Sequence, residues 1–265
     1  MQASGNLKKM RTTLAEPVQY QLELGESVVD MNDLVGKQIR LTHNGVINCK
    51  ICGRKIKKAF GQGFCYQHFM ESPENSPCIL RPELCEGHLG IGRDVEWEKE
   101  HHVQPHVVYL AVSSGLKVGV TREQQIPTRW IDQGAWKAIR LAETPYRQLA
   151  GALEVEMKAH LSDKTHWQKM LKNVLATDID IVSEKQRIST LVSEEMQQYL
   201  SANDDVVEIA YPVQAFPEKV KSQKLDKVGE IEGELQGIKG QYLIFDEGRV
   251  INSRSHTGYW VELEA

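Results

Sequence analysis

An α+β protein is predicted for this chain, and three observations predict it. Both ends alternate apolar and polar residues as half-buried strands do, two β-rich runs in the middle are followed by a helical stripe, and every cysteine falls in an aperiodic stretch between Cys49 and Cys85. Over 265 positions, 41% apolar and 26% charged residues describe a globular chain and exclude disorder, collagen-like repeats and coiled coil. The longest apolar runs, such as 107–112, are far too short to span a bilayer. Lys8, Lys9 and Arg11 have no apolar segment behind them, unlike a signal peptide, so a cytoplasmic protein with no membrane partner is expected. A net charge of −4 gives no whole-protein basic signature, so any nucleic-acid contact must be local.

Three regions follow from the composition. Region 1–106 is read as a β hairpin followed by a zinc-binding stretch. Its alternating segments 18–24 and 38–42 suit strands, Asn44-Gly45 is a hairpin-turn signal, and 46–106 lacks strict periodicity. Region 107–200 is read as an α/β core with following helices. Strands at 107–112 and 116–120 are joined by Ser113-Ser114-Gly115, and a third strand is expected at 136–141. Leu149, Leu153, Met157 and Leu161 recur every four residues and predict a helix over 147–161. A second helix is expected over 166–176 and a third from Ser183, where Ser183-Glu184-Lys185-Gln186 has capping-box spacing. Region 201–265 is read as a small all-β barrel or sandwich, with strands at 206–210, 240–245 and 259–263 separated by glycines.

The cysteines carry the strongest local signal. An odd, clustered set in a reducing compartment points to metal ligands rather than disulfides. Cys49-x2-Cys52-Gly53 places two thiolates on a tight turn, and Cys65-x2-His68 supplies a second pair, a donor set for one structural Zn2+. Cys78, Cys85 and His88 suggest a second zinc, with His102 or His101 as its fourth ligand; His106 is a further candidate. One or two structural zinc ions are therefore expected.

Arg54, Lys55, Lys57 and Lys58 lie within the first ligand set, with Lys50 beside them and no acid from Cys49 to His68. Phe60, Phe64, Tyr66 and Phe69 are interleaved. This pattern suits a backbone-and-stacking surface for DNA or RNA, or equally a solvated loop whose aromatics form a small core around the metal. Lys117, Arg122, Arg129, Lys137, Arg140 and Arg147 outnumber the acids of the same stretch and add a modest local positive charge.

Tyr109 on the first strand of the predicted hairpin and Lys117-Val118-Gly119 on the second resemble the core of the GIY-YIG nucleases. Tyr109 stands for the first motif tyrosine, Gly119 for the glycine of the second motif, Arg129 for the helix arginine and Glu154 for the metal-binding glutamate, with Glu156 as a substitute. Lys117 occupies the place of the second tyrosine, and Gln133 that of a histidine four after the arginine. The resemblance implies phosphodiester cleavage in nucleic acid with Mg2+ or Mn2+ at Glu154, with Tyr109, Lys117, Arg129 and Glu154 as site residues. The missing tyrosine implies weakened hydrolysis or a purely binding role.

Over nearly its full length the chain also resembles an uncharacterised family of prokaryotic proteins of unknown function. The residues that carry this are Cys49-x2-Cys52, Cys65-Tyr66, Arg81-Pro82-Glu83, Cys85-x2-His88, 117–122, 128–135, Asp163-Lys164-Thr165 and 237–243, with His68 standing where a cysteine is expected. The resulting expectation is a zinc-containing nucleic-acid-binding protein with metal-dependent phosphodiesterase chemistry. The alternatives are a non-catalytic nucleic-acid or ribonucleoprotein binding module on a degenerate nuclease scaffold, and a protein–protein adaptor.

Overall fold

The computed structural model describes residues 1–161 and 166–265, so Asp163, Lys164 and Thr165 lie outside the described residues. Strands run in chain order as β1 (Gln2–Asn6), β2 (Arg11–Thr13), β3 (Gln19–Leu24), β4 (Ser27–Asp30), β5 (Gln38–Asn48), β6 (Lys55–Ile56), β7 (His106–Val112), β8 (Leu116–Arg122), β9 (Lys137–Thr144), β10 (Val207–Glu208), β11 (Lys221–Ser222), β12 (Glu230–Lys239), β13 (Tyr242–Phe245), β14 (Arg249–Asn252) and β15 (Tyr259–Glu264). The α-helices are α1 (Tyr66–Glu71), α2 (Val95–His102), α3 (Thr128–Asp132), α4 (Arg147–Lys158), α5 (Trp167–Leu171), α6 (Ile181–Ser189) and α7 (Leu225–Val228). None of these helices is long and apolar enough to cross a membrane.

Contacts group the chain into two units. One comprises residues 1–70, 171–173 and 209–265; the other comprises 71–170 and 174–208. The boundaries read from composition, at 106 and 200, fall elsewhere.

The first unit holds an eight-stranded sheet in the order β1-β15-β5-β12-β13-β14-β11, with β6 on β5, and a separate three-stranded sheet β2-β3-β4. Its strands keep the period of two that a one-face-buried sheet needs: Tyr20, Leu22 and Leu24 of β3 are buried, as are Tyr259, Val261 and Leu263 of β15. The C-terminal strands therefore form no barrel of their own. They interleave with β1 and β5, and the ends of the strand order, β1 and β11, stay unpaired with each other among the described residues.

Asn44-Gly45 does not turn the chain. β5 runs straight through it, and the register against β15 steps from Ile47↔Tyr259 to His43↔Val261 around it. This is a β-bulge: Gly45 takes φ +79° at no Cβ cost, and Asn44 Oδ1 accepts from Val46 N at 3.0 Å.

The second unit holds the four-stranded antiparallel sheet β10-β9-β7-β8. All seven residues of β7 are buried, as befits a strand inside the sheet, while β8 is an edge. One face packs Val108, Leu110, Val112, Ile139 and Leu141 against Leu153 and Met157 of α4 and Ile188 of α6. Tyr109 stands edge-on to Trp130 of α3. The third predicted helix begins earlier than its capping-box pattern suggested. Asp180 caps α6 by accepting from Val182 N at 3.1 Å, and Ser183 Oγ donates to Asp180 Oδ2 at 2.6 Å. α4 stops at Lys158, before Leu161, and the segment predicted as a helix over 166–176 is helical only as α5.

Candidate functional site

Two donor clusters form, one in each unit. In the first, Cys49, Cys52, Cys65 and His68 bring their donor atoms within 4.8 Å of one another. Cys49 follows β5, Cys52 lies on the turn closed by Gly53 N donating to Cys49 O at 2.9 Å, and Cys65 and His68 sit at and in the first turn of α1. His68 Nδ1 lies 3.5 Å from Cys49 Sγ and 3.3 Å from Cys65 Sγ. A tetrahedral zinc of ordinary bond lengths places neighbouring S and N donors about 3.6 Å apart, so the spacing fits. Burial opposes the Cys49 thiolate, yet the backbone N–H groups of Cys52, Cys65 and Ile51 bring it down to about 7. Arg54 Nε donates to Cys52 Sγ at 3.2 Å and lowers that thiol in turn.

The second cluster differs from the expected set in one ligand. Cys78, Cys85, Glu98 and His102 are all buried, with donor atoms within 4.8 Å of one another. His88 is not among them: its ring stacks on Tyr146 at 4.5 Å. Nor is His101, which stacks on Trp97 at 4.0 Å and donates from Nδ1 to Trp97 O at 2.9 Å, nor His106, whose Nδ1 donates to Gln104 O at 2.8 Å. Glu98 takes the fourth place because α2 sets Glu98 and His102 one turn apart on its inner face, started by Asp94, whose side chain accepts from Trp97 N at 3.0 Å.

His102 Nδ1 lies 3.5 Å from Cys85 Sγ, 3.9 Å from Cys78 Sγ and against Glu98 Oε2. The Cys78 thiol donates to Cys85, which lowers Cys85 to about 4 and raises Cys78. Four lone-pair donors buried around one point repel one another unless a cation or shared protons lie between them, so the donor chemistry fits a closed structural zinc site.

A pocket of about 160 Å³ lies along the edge strand β8, lined by Gly119, Arg129, Gln133, Arg147, Glu154 and Lys158, with Ile79, Leu80 and Pro82 on one wall. Gly119 faces Tyr109 across the ladder, and a Cβ there would fall 2.5 Å from the Tyr109 hydroxyl, so only glycine lets the phenol lie over the strand. Tyr109 donates to Gln133 Oε1 at 2.8 Å; burial raises its pKa, and the neighbouring Arg129 works the other way. Lys117, two residues before Gly119 and only 3% exposed, is lowered to about 7 by burial and then by the Arg129 charge. Glu154 pairs with Lys158 at 3.3 Å. Glu156, the alternative to Glu154, instead accepts from the Ser193 hydroxyl at 3.1 Å and caps the chain there. Tyr109, Arg129 and Glu154 are thus brought together, with Lys117 beside Arg129.

The proposed nucleic-acid contacts divide. Lys55, Lys57 and Lys58 are exposed around the first cluster, but Arg54 is spent on Cys52 and on Gln67 Oε1 at 3.0 Å. Arg122 belongs to the other unit, half-buried at the end of β8. Phe64 is buried under Lys50, whose Nζ lies 4.1 Å from the ring centre, whereas Tyr66 is 62% exposed.

No curated protein and no solved structure matches the chain. One family does, described as "Protein of unknown function (DUF2797)", over residues 36–261, a span that contains both donor clusters and the edge pocket. The chain therefore belongs to the DUF2797 family.

Proposed function

We propose that this is a zinc-stabilised nucleic-acid-binding protein whose edge pocket handles a phosphodiester group. The observation that carries the reading is one small pocket lined by Gly119, Arg129 and Glu154, with Tyr109 buried against Gly119 and Arg129 beneath it, on a β7-β8-α3-β9-α4 frame. Those residues are far apart in sequence, and they are the ones on which the GIY-YIG resemblance rests. Arg129, Arg147 and Lys158 against the single carboxylate of Glu154 leave the pocket positive, which favours an oxyanion.

Each residue has a task in this reading. The Arg129 fork holds non-bridging phosphate oxygens. Tyr109, buried beneath Gly119, donates to Gln133 and contacts Arg129, and so positions both of these pocket residues. Lys117, in the place of the second tyrosine, has its pKa near neutrality and so can take or give a proton at physiological pH. A divalent cation would find one protein carboxylate, Glu154, would need phosphate oxygens and water to complete its shell, and would stabilise a leaving oxygen. The exposed Lys55, Lys57 and Lys58 beside Tyr66 supply salt-sensitive backbone contacts.

The test is incubation of the full-length protein with labelled DNA and RNA, single-stranded and duplex, at low salt with and without Mn2+. Metal-dependent product that vanishes in Glu154→Ala, with zinc content unchanged, is expected; cleavage unchanged in that variant overturns the assignment. One observation favours a second reading. Glu154 is already neutralised by Lys158 and flanked by Arg129 and Arg147, an arrangement better suited to holding a phosphate than a cation. A salt-sensitive complex without product would then make the protein a binding module.

A further inference from the structure

Arg147, at the first residue of α4, links the loop of the second donor cluster to the edge pocket. Its Nε and Nη2 donate to the Cys78 carbonyl at 3.1 and 2.8 Å, and Nη2 also donates to the Ile79 carbonyl at 3.1 Å. These carbonyls belong to the loop that carries Cys78 into the second metal cluster and then forms the Ile79–Leu80–Pro82 wall of the edge pocket. The same guanidinium lines that pocket, and its Nη1 has no acceptor among the described residues. A planar fork of five donors has enough for both edges: one gathers the loop, the other is left for a ligand.

The loop is also pressed directly onto α4. A Cβ on Gly151 would fall 2.2 Å from Glu83 N and 2.3 Å from the Pro82 carbonyl carbon, so helix and loop backbones touch with no side chain between them. The segment from Cys78 to Cys85 is a series of single 3-10 turns with no ladder of its own. Its shape therefore depends on its two cysteines being held, and on Arg147.

We propose that Arg147 is a second oxyanion-binding residue of the edge pocket, positioned by the Cys78–Cys85–Glu98–His102 metal centre, so that metal occupancy sets how tightly the pocket holds a phosphate group. This rests on the phosphodiester reading above. With the metal bound, the loop is fixed, its carbonyls fix one edge of the guanidinium, and the free edge is presented beside Arg129. With the metal lost, wall and arginine move together. Coupling of this kind is reciprocal: a ligand on Arg147 must also retain the metal more tightly.

The experiment uses the full-length zinc-loaded protein and p-nitrophenyl thymidine 5′-phosphate, a phosphodiester small enough to report on the pocket alone. Calorimetric affinity, zinc per chain and backbone hydrogen exchange are measured for wild type, Arg147→Lys and Cys85→Ser. Arg147→Lys should keep its zinc and bind the ester at least tenfold more weakly. Cys85→Ser should lose one zinc, show a comparable loss of affinity, and exchange faster over residues 79–82 and the first turn of α4. The ester should slow zinc loss to a chelator from the second centre in wild type but not in Arg147→Lys, which decides the matter even if Cys85→Ser fails to fold. Wild-type affinity in a folded, zinc-depleted Cys85→Ser, or zinc loss indifferent to bound ester, overturns the coupling. No binding of the ester by wild type overturns the phosphodiester reading itself, a result that unaltered coupling data could not produce.

Discussion

Lys117 is a buried cation whose charge costs the fold. Its folded pKa of about 7 lies below the ordinary value of 10.5, so between those limits the unfolded chain binds the extra proton and stability rises with pH. Below the folded value both states are charged and the full burial cost remains, at most about 5 kcal/mol. Lys117→Met keeps the packing of the stem and removes the titration. It should be more stable than wild type by several kcal/mol at about pH 6, with the difference shrinking steadily towards about pH 10, as read from urea unfolding at each pH. A difference that does not change with pH would mean Lys117 is not held neutral by the fold. The residue-scale reading of the sequence did well where spacing alone sets chemistry: Cys49, Cys52, Cys65 and His68 meet as their pattern predicts. It missed Glu98, because an acid amid Glu96, Lys99 and Glu100 looks like part of a solvated helix face. The available signal was its i,i+4 relation to His102, which puts both on one side of α2.

At the scale of elements, the assignment of Glu98 is testable against that of His88. Glu98→Ala should lower zinc from two ions per chain to one after desalting, whereas His88→Phe, which preserves the stack on Tyr146, should retain both. The reverse pattern would restore His88 as the ligand. Strand existence was legible wherever alternation or a buried run marked it, as in β3, β7, β8, β9 and β15. What alternation could not reveal was continuity. Asn44-Gly45 has the chemistry of a turn and of a bulge alike, because both need a residue at positive φ. The choice fell to β15 and β12, which pair with β5 on either side and hold it extended. The start of α6 was similarly ambiguous. Asp180 and Ser183 are both competent caps, and the structure uses Asp180 as the cap and Ser183 as its supporting donor.

Across the whole molecule, the chain leaves its first unit near residue 70 and, apart from residues 171–173, returns to it only near 209. Local sequence carries no record of such a return, which is why the last sixty or so residues read as a domain in their own right. They instead supply the partners on both sides of β5. Deleting everything after Glu208 removes β12 and β15 and leaves β5 with only the two-residue β6 beside it in the eight-stranded sheet. Such a chain should lose cooperative unfolding of the first unit and become protease-sensitive throughout residues 1–70, although every ligand of the first cluster is still present. Protection of 1–70 in the truncated chain would show that the N-terminal strands are self-sufficient.

The two donor sets carry equal formal charge, since three thiolates with a neutral imidazole and two thiolates with a carboxylate and an imidazole each bring −3 to a dication. They differ in softness: one oxygen donor replaces one sulfur. Cobalt(II) in place of zinc turns that difference into colour, because thiolate-to-metal charge transfer in the near ultraviolet grows with the number of sulfurs bound. A single polypeptide loaded with cobalt would thus hold two chromophores with intensities in the ratio of three to two, and the titration would write the order in which its halves take up metal directly into the absorption spectrum.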